Sequence, residues 1–202
     1  MEDVHDYFET GLTFHGHKCP AMPMGLRAGL AARKALGVTR AQNKELFARA
    51  ETGDDHAAGC FLDGVMMATG CTYGKSNIEK LYFDKMAVTL IDIGTGRSVR
   101  VGVKPDFLEK ALNSPFVQER RKGVPPQDVD AAIVDPLVAR VLSLPEDDFL
   151  DIGEIQQVDF APKKSVFQVR RCARCGEDTF VNKLRVTPDG EIVCIPCSEY
   201  DA

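Results

Sequence analysis

The chain has 202 residues, 44% hydrophobic and 27% charged, with a formal net charge of −5. These are ordinary globular values, enough for one domain with a sizeable core plus a small satellite. Residues 163–202 hold seven Lys+Arg against six Asp+Glu, a balance of +1, so the first 162 residues carry −6. That acidic core disfavours nucleic acid as a partner, because phosphate contacts need a surplus of cations. The first residues lack a basic-then-apolar leader, and no apolar run approaches the roughly 20 residues that span a bilayer. A cytoplasmic protein is expected, and seven cysteines there argue for metal or redox chemistry, not disulfides.

In chain order, Cys19-Pro20 punctuates the start of a helix that runs in helix formers to Gly37, a suitable C-terminal cap. Gly25, Gly29 and Ala32 form a small-residue face on it, which lets another backbone come close and is one ground for expecting a homodimer. Residues 44–50 are ambiguous between helix and strand. The stretch AAGCFLDGVMMATG reads as a buried helix ending at Gly70. From Ile78 to Val103 short β-branched runs broken by Gly94-Thr95-Gly96 predict an antiparallel hairpin or meander. Two further helices are expected over 105–121 and 127–143, then a strand or two within DFLDIGEIQQVDF. With no βαβ repetition, the expected class is α+β. Residues 1–162 form a mixed helix and antiparallel-sheet core, and 163–202 a linker and small zinc-finger domain.

The tail carries the strongest motif. Cys172-x-x-Cys175 and Cys194-x-x-Cys197 are separated by eighteen residues, within the usual range for a Cys₄ zinc site. Each pair presents two thiolates to one tetrahedral ion, and Pro188-Asp189-Gly190 turns the hairpin between the pairs. A pair of redox dithiols is the competing reading. A Cys₄ site is closed, so the expected ion, Zn²⁺, is structural.

In the core, Phe14-His15-Gly16-His17-Lys18-Cys19 would, if extended, point His15, His17 and Cys19 to one face. Such a set chelates a borderline-soft ion, and Cys19 at a helix start favours the thiolate. Cys60 and Asp63 share one helix face after Asp55-His56, and Asp63 is a lone acid in an apolar run. It either meets a base or serves a metal or catalyst. The expectation is a second transition-metal ion, with zinc favoured, on His17, Cys19 and Cys60, and with His15 or Asp63 beside them. An open position would face a small-molecule ligand in a cleft. Cys19, Cys60 and Asp63 are the candidate catalytic groups; without a metal the two thiols become a redox pair. Cys71 lies about 16 Å further along an unbroken helix than Cys60, too far to share an ion. Gly70–Ser76 fails as a phosphate loop, being one residue short and following a helix. Lys75 in it is a candidate to border an anionic ligand, against the plainer reading of a surface turn.

The segments FHGHKCPAMPMGLRAG and CFLDGVMMATGCTYGKSNI together resemble the E-subunit family of formylmethanofuran dehydrogenase over most of residues 5–160. The tail resembles the treble-clef zinc finger that some members carry, and in spacing alone the zinc module of DksA/TraR-type regulators. The resemblance implies an α+β core that is often dimeric. Its cleft would be formed by the His-x-His-x-Cys segment and the Cys60 helix, with His15, His17, Cys19, Cys60, Asp63 and the Cys71–Lys75 turn matching the family pattern. It also implies a link to a molybdenum or tungsten enzyme of one-carbon metabolism, as enzyme or accessory in a larger complex. A nucleic-acid-binding regulator and a metal or cofactor carrier are the competing functions.

Overall fold

The computed structural model describes residues 4–54, 56–162 and 164–199. The chain divides into two compact units, Met1–Ala161 and Pro162–Ala202.

The first unit is built around one helix. Helix α1 (Val4–His15) leads into α2 (Ala21–Leu36), which is capped by Gly37 at φ 68°, its amide donating to Arg33 O and Lys34 O. Strand β1 (Leu46–Ala50) follows, then α3 (His56–Thr69). Helix α2 is buried almost all round because it packs on α1, α3, α6 and the sheet at once. Its glycines meet α3: a Cβ on Gly25 would lie 1.8 Å from Phe61 O, and one on Gly29 2.6 Å from Ala68 Cβ. In return a Cβ on Gly64 would lie 2.0 Å from Met22 O. The order of these contacts makes α2 and α3 run parallel. Their N-terminal ends therefore sit side by side, and the C-terminal end of α1 reaches the same place. The small-residue face that suggested room for a second copy is filled by α3 of the same chain, so that ground for a homodimer is removed.

The sheet places β2 (Ile78–Lys80), β1, β3 (Ala87–Asp92), β4 (Arg97–Val103) and β5 (Leu150–Ile152) in that spatial order, with β6 (Gln156–Gln157) also on β4. Of residues 44–50, Leu46–Ala50 resolve as strand, since Leu46, Ala48 and Ala50 alternate inward against half-buried neighbours. The expected hairpin is β3–β4, turned by Asp92, whose carboxylate accepts from Gly94 N and Thr95 Oγ1. Strand β2 departs from expectation. It pairs with β1, and in parallel, because α3 and the turn after it carry the chain back to the far edge of β1.

The helix expected over 105–121 is two, α4 (Pro105–Leu112) and α5 (Pro115–Arg121). Pro115 cannot continue a helix, and Ser114 caps the new one by accepting from Val117 N. The second expected helix starts later, as α6 (Ala131–Ser143), where the Asp130 carboxylate accepts from Ala132 N. A short α7 (Glu146–Phe149) leads into β5. Among the described residues, no helix is long and apolar enough to cross a membrane.

The second unit has two small hairpins. Strands β7 (Val169–Arg171) and β8 (Asp178–Phe180) form the first, β9 (Leu184–Val186) and β10 (Ile192–Cys194) the second. The predicted Pro-Asp-Gly turn closes the latter, with Gly190 N on Thr187 O. Among the described residues, the buried apolar heart of this unit is Cys172, Val193 and Cys194.

Candidate metal centres

The parallel packing of α2 and α3 assembles the core cluster. His15 is the last residue of α1, and the backbone then reverses at Gly16, whose φ of 90° favours glycine. His17 and Cys19 lie in the loop that enters α2. The backbone is thus a helix end and a turn, not the extended segment expected. The convergence expected of it is nonetheless present, through tertiary packing. One ligand atom each of His15, His17, Cys19 and Cys60 falls within 4.8 Å of the others.

The spacings discriminate between a hydrogen-bonded cluster and a coordination set. A tetrahedron with bonds of about 2.0–2.1 Å to nitrogen and 2.3 Å to sulfur has edges of roughly 3.3 Å for N···N, 3.6 Å for N···S and 3.8 Å for S···S. Here His15 Nε2 lies 3.2 Å from His17 Nε2 and 3.6 Å from Cys19 Sγ, and Cys60 Sγ lies 3.8 Å from His17 Nε2. These match the tetrahedral edges, so the four donors fit one four-coordinate ion.

Asp63 occupies the position behind them. Its Oδ2 lies 2.7 Å from His15 Nδ1, on the side of the ring away from the cluster. It partners His15, a candidate ligand, and stands outside the group of converging donor atoms. This carboxylate–histidine arrangement fixes the ring and makes its other nitrogen a better donor. Its sequence signal, a lone acid one turn from Cys60, left its partner open; the structure supplies His15. Without a metal, the bond to Asp63 raises His15 to about 9. The Cys19 thiol is held well below its usual range, first by a hydrogen bond from the Cys60 thiol and also by His15, His17 and the Met22 amide of the helix start. Cys60 is pushed up by the same pairing and by burial.

The other sequence candidates fall elsewhere. Cys71 is buried beyond the end of α3 and belongs to neither cysteine cluster, and burial pushes its thiol up to about 11. Lys75 Nζ donates to Ala41 O and Gln42 O, bracing the glycine-rich turn to the chain before β1. Asp55 and the side chain of His56 lie outside the described residues. Sequence reading overlooked the roles of Gly16 and Gly64. Their signals were a glycine between two histidines and a glycine one residue after Asp63.

In the second unit Cys172, Cys175, Cys194 and Cys197 converge in the same way. Cys175 Sγ and Cys194 Sγ are 3.8 Å apart, the S···S edge, and Cys194 N donates to Cys172 Sγ. Such an amide bond stabilises a metal-bound thiolate.

The fold and these sites define an α+β protein with two separate Cys/His donor clusters able to hold metal ions. It belongs to the FmdE family, described as FmdE, molybdenum formylmethanofuran dehydrogenase operon, whose model matches residues 14–151. A probable S-adenosyl-L-methionine-binding protein of Archaeoglobus fulgidus is 30% identical over 201 residues, covering 92% of this chain and 50% of that protein. The chain thus spans about half the length of that curated relative. The crystal structure of a tungsten formylmethanofuran dehydrogenase FmdE-like protein from Syntrophus aciditrophicus shares the fold. The TM-score is 0.60 at 24% identity, covering 98% of this chain and 95% of that one.

Proposed function

We propose that this chain is a two-metal protein serving one-carbon metabolism, as an enzyme or as an accessory component of a larger molybdenum- or tungsten-linked enzyme. The observation that carries this reading is the set of four donors at tetrahedral spacing, with Asp63 behind His15. Zinc suits both sites: two imidazoles and two thiolates in the core, four thiolates in the tail. The tail ion is structural. The core site is the functional one. Its four donors fill a tetrahedron, so an ion held there would act as a Lewis acid only by adding a fifth ligand or releasing one donor to a small molecule entering beside the half-buried His17 and the exposed Gly16. Cys19 and Cys60 hold the ion as thiolates, and Asp63 orients His15. The family description supports the link to formylmethanofuran chemistry, and the relative's name is consistent with it, since S-adenosylmethionine and formylmethanofuran both carry a single carbon.

Chelator competition on the purified protein tests this reading against that of a metal carrier. Two release steps are expected, with the core ion retained at chelator concentrations that strip a weakly held one. In Asp63→Ala the core step should move to 10–100-fold lower chelator while the tail step stays in place. Release of both ions in one step that is unchanged by Asp63→Ala would contradict it.

A further inference from the structure

A cavity of about 240 Å³ opens between α2, α4, α5 and α6, with no cysteine in its wall. Its apolar wall is made by Pro20, Met24, Phe107, Leu137 and Val141. The wall is preformed, because Arg27 on α2 donates to Val141 O, Leu142 O and Leu144 O and pins the end of α6 in place. Two cations, Lys110 and Arg140, also line it, and no acid does.

Both cations are exposed. The chain is acidic overall, and neighbouring bases are engaged: Lys18 pairs with Asp135, and Lys34 with Glu146. Among the described residues, no ion pair or side-chain hydrogen bond involves the Lys110 ammonium or the Arg140 guanidinium. Two unpartnered positive charges at the mouth of an apolar cavity complement a ligand with a charged head and a greasy body. Ser114 lines the same cavity, and its hydroxyl can donate to that head while it caps α5. The volume is below the roughly 300–1,000 Å³ of sites for drug-sized molecules, so the body is short.

We infer that this cavity is a binding site for a small organic anion, a carboxylate bearing a short apolar chain or ring. It is a second ligand site, independent of the metal centres.

Amide chemical shifts of the full chain, titrated with hexanoate, hexan-1-ol and acetate, test the inference. Hexanoate should shift Ala111 and Leu137 saturably. Hexan-1-ol, lacking the charge, and acetate, lacking the body, should each bind at least fivefold more weakly. The double variant Lys110→Ala/Arg140→Ala should weaken hexanoate roughly tenfold, since two partly solvated ion pairs are lost. Metal content, measured on the same samples, should be the same with and without hexanoate. The inference is overturned if the cavity residues do not shift, or if the alcohol or acetate binds as well as hexanoate. Unchanged affinity in the double variant overturns it too.

Discussion

Replacing Cys194 with serine should unfold the C-terminal unit and leave the core folded. Among the described residues, that unit has three buried apolar residues at its heart, two of them cysteines. An apolar core so small cannot offset the conformational entropy of ordering its residues. Structural zinc supplies on the order of 10–16 kcal/mol in such modules, and losing one thiolate of four removes most of it. Hydrogen exchange should show protection lost across residues 164–199 and kept in β1, β3 and β4. Protection that persisted in the tail of Cys194→Ser would show that hairpin packing, without metal, holds it.

The second large effect is expected at the parallel helix contact. A Cβ on Gly64 would lie 2.0 Å from Met22 O and 2.4 Å from Leu26 N. Both are backbone atoms of α2, which is locked on several sides, so no side chain can swing away. Gly64→Ala should force α2 and α3 apart at a cost of about 3 kcal/mol or more, a large share of a typical 5–15 kcal/mol. The melting temperature should fall by roughly 10 °C. Cys60 rides on α3 and Cys19 on the entry to α2, so the same variant should lose core metal. Gly59→Ala, one residue before Cys60, is the control. Its Cβ meets nothing within 4 Å, and helix propensity makes it neutral or slightly stabilising. An equal drop for both would show that the loss does not come from the close approach of Gly64 to α2.

These two cases show which features can be read from residues alone. The four-cysteine cluster of the tail was legible because both Cys-x-x-Cys pairs and the Pro-Asp-Gly turn are local patterns whose spacing brings the thiols together. The α+β class and the helices at 21–36 and 56–69 were legible from punctuation by proline and glycine. The parallel pairing of β2 with β1 was not, because register and neighbour choice depend on where α3 returns the chain. The core cluster was legible as a set of residues but not as geometry. An extended His-x-His-x-Cys segment was expected, whereas His15 closes a helix and Gly16 turns the chain. The glycine face on α2 was read correctly as a place of close approach, but a sequence cannot say whether the approaching backbone belongs to the same chain. Here it does, at Phe61 and Ala68.

Metal stoichiometry tests the central claim most directly. Elemental analysis of protein purified without added chelator should give two transition-metal ions per chain. The double variant Cys19→Ser/Cys60→Ser should retain one, with its tail still protected from exchange. A wild-type protein holding a single ion, or a double variant still holding two, would contradict a metal centre at His15, His17, Cys19 and Cys60.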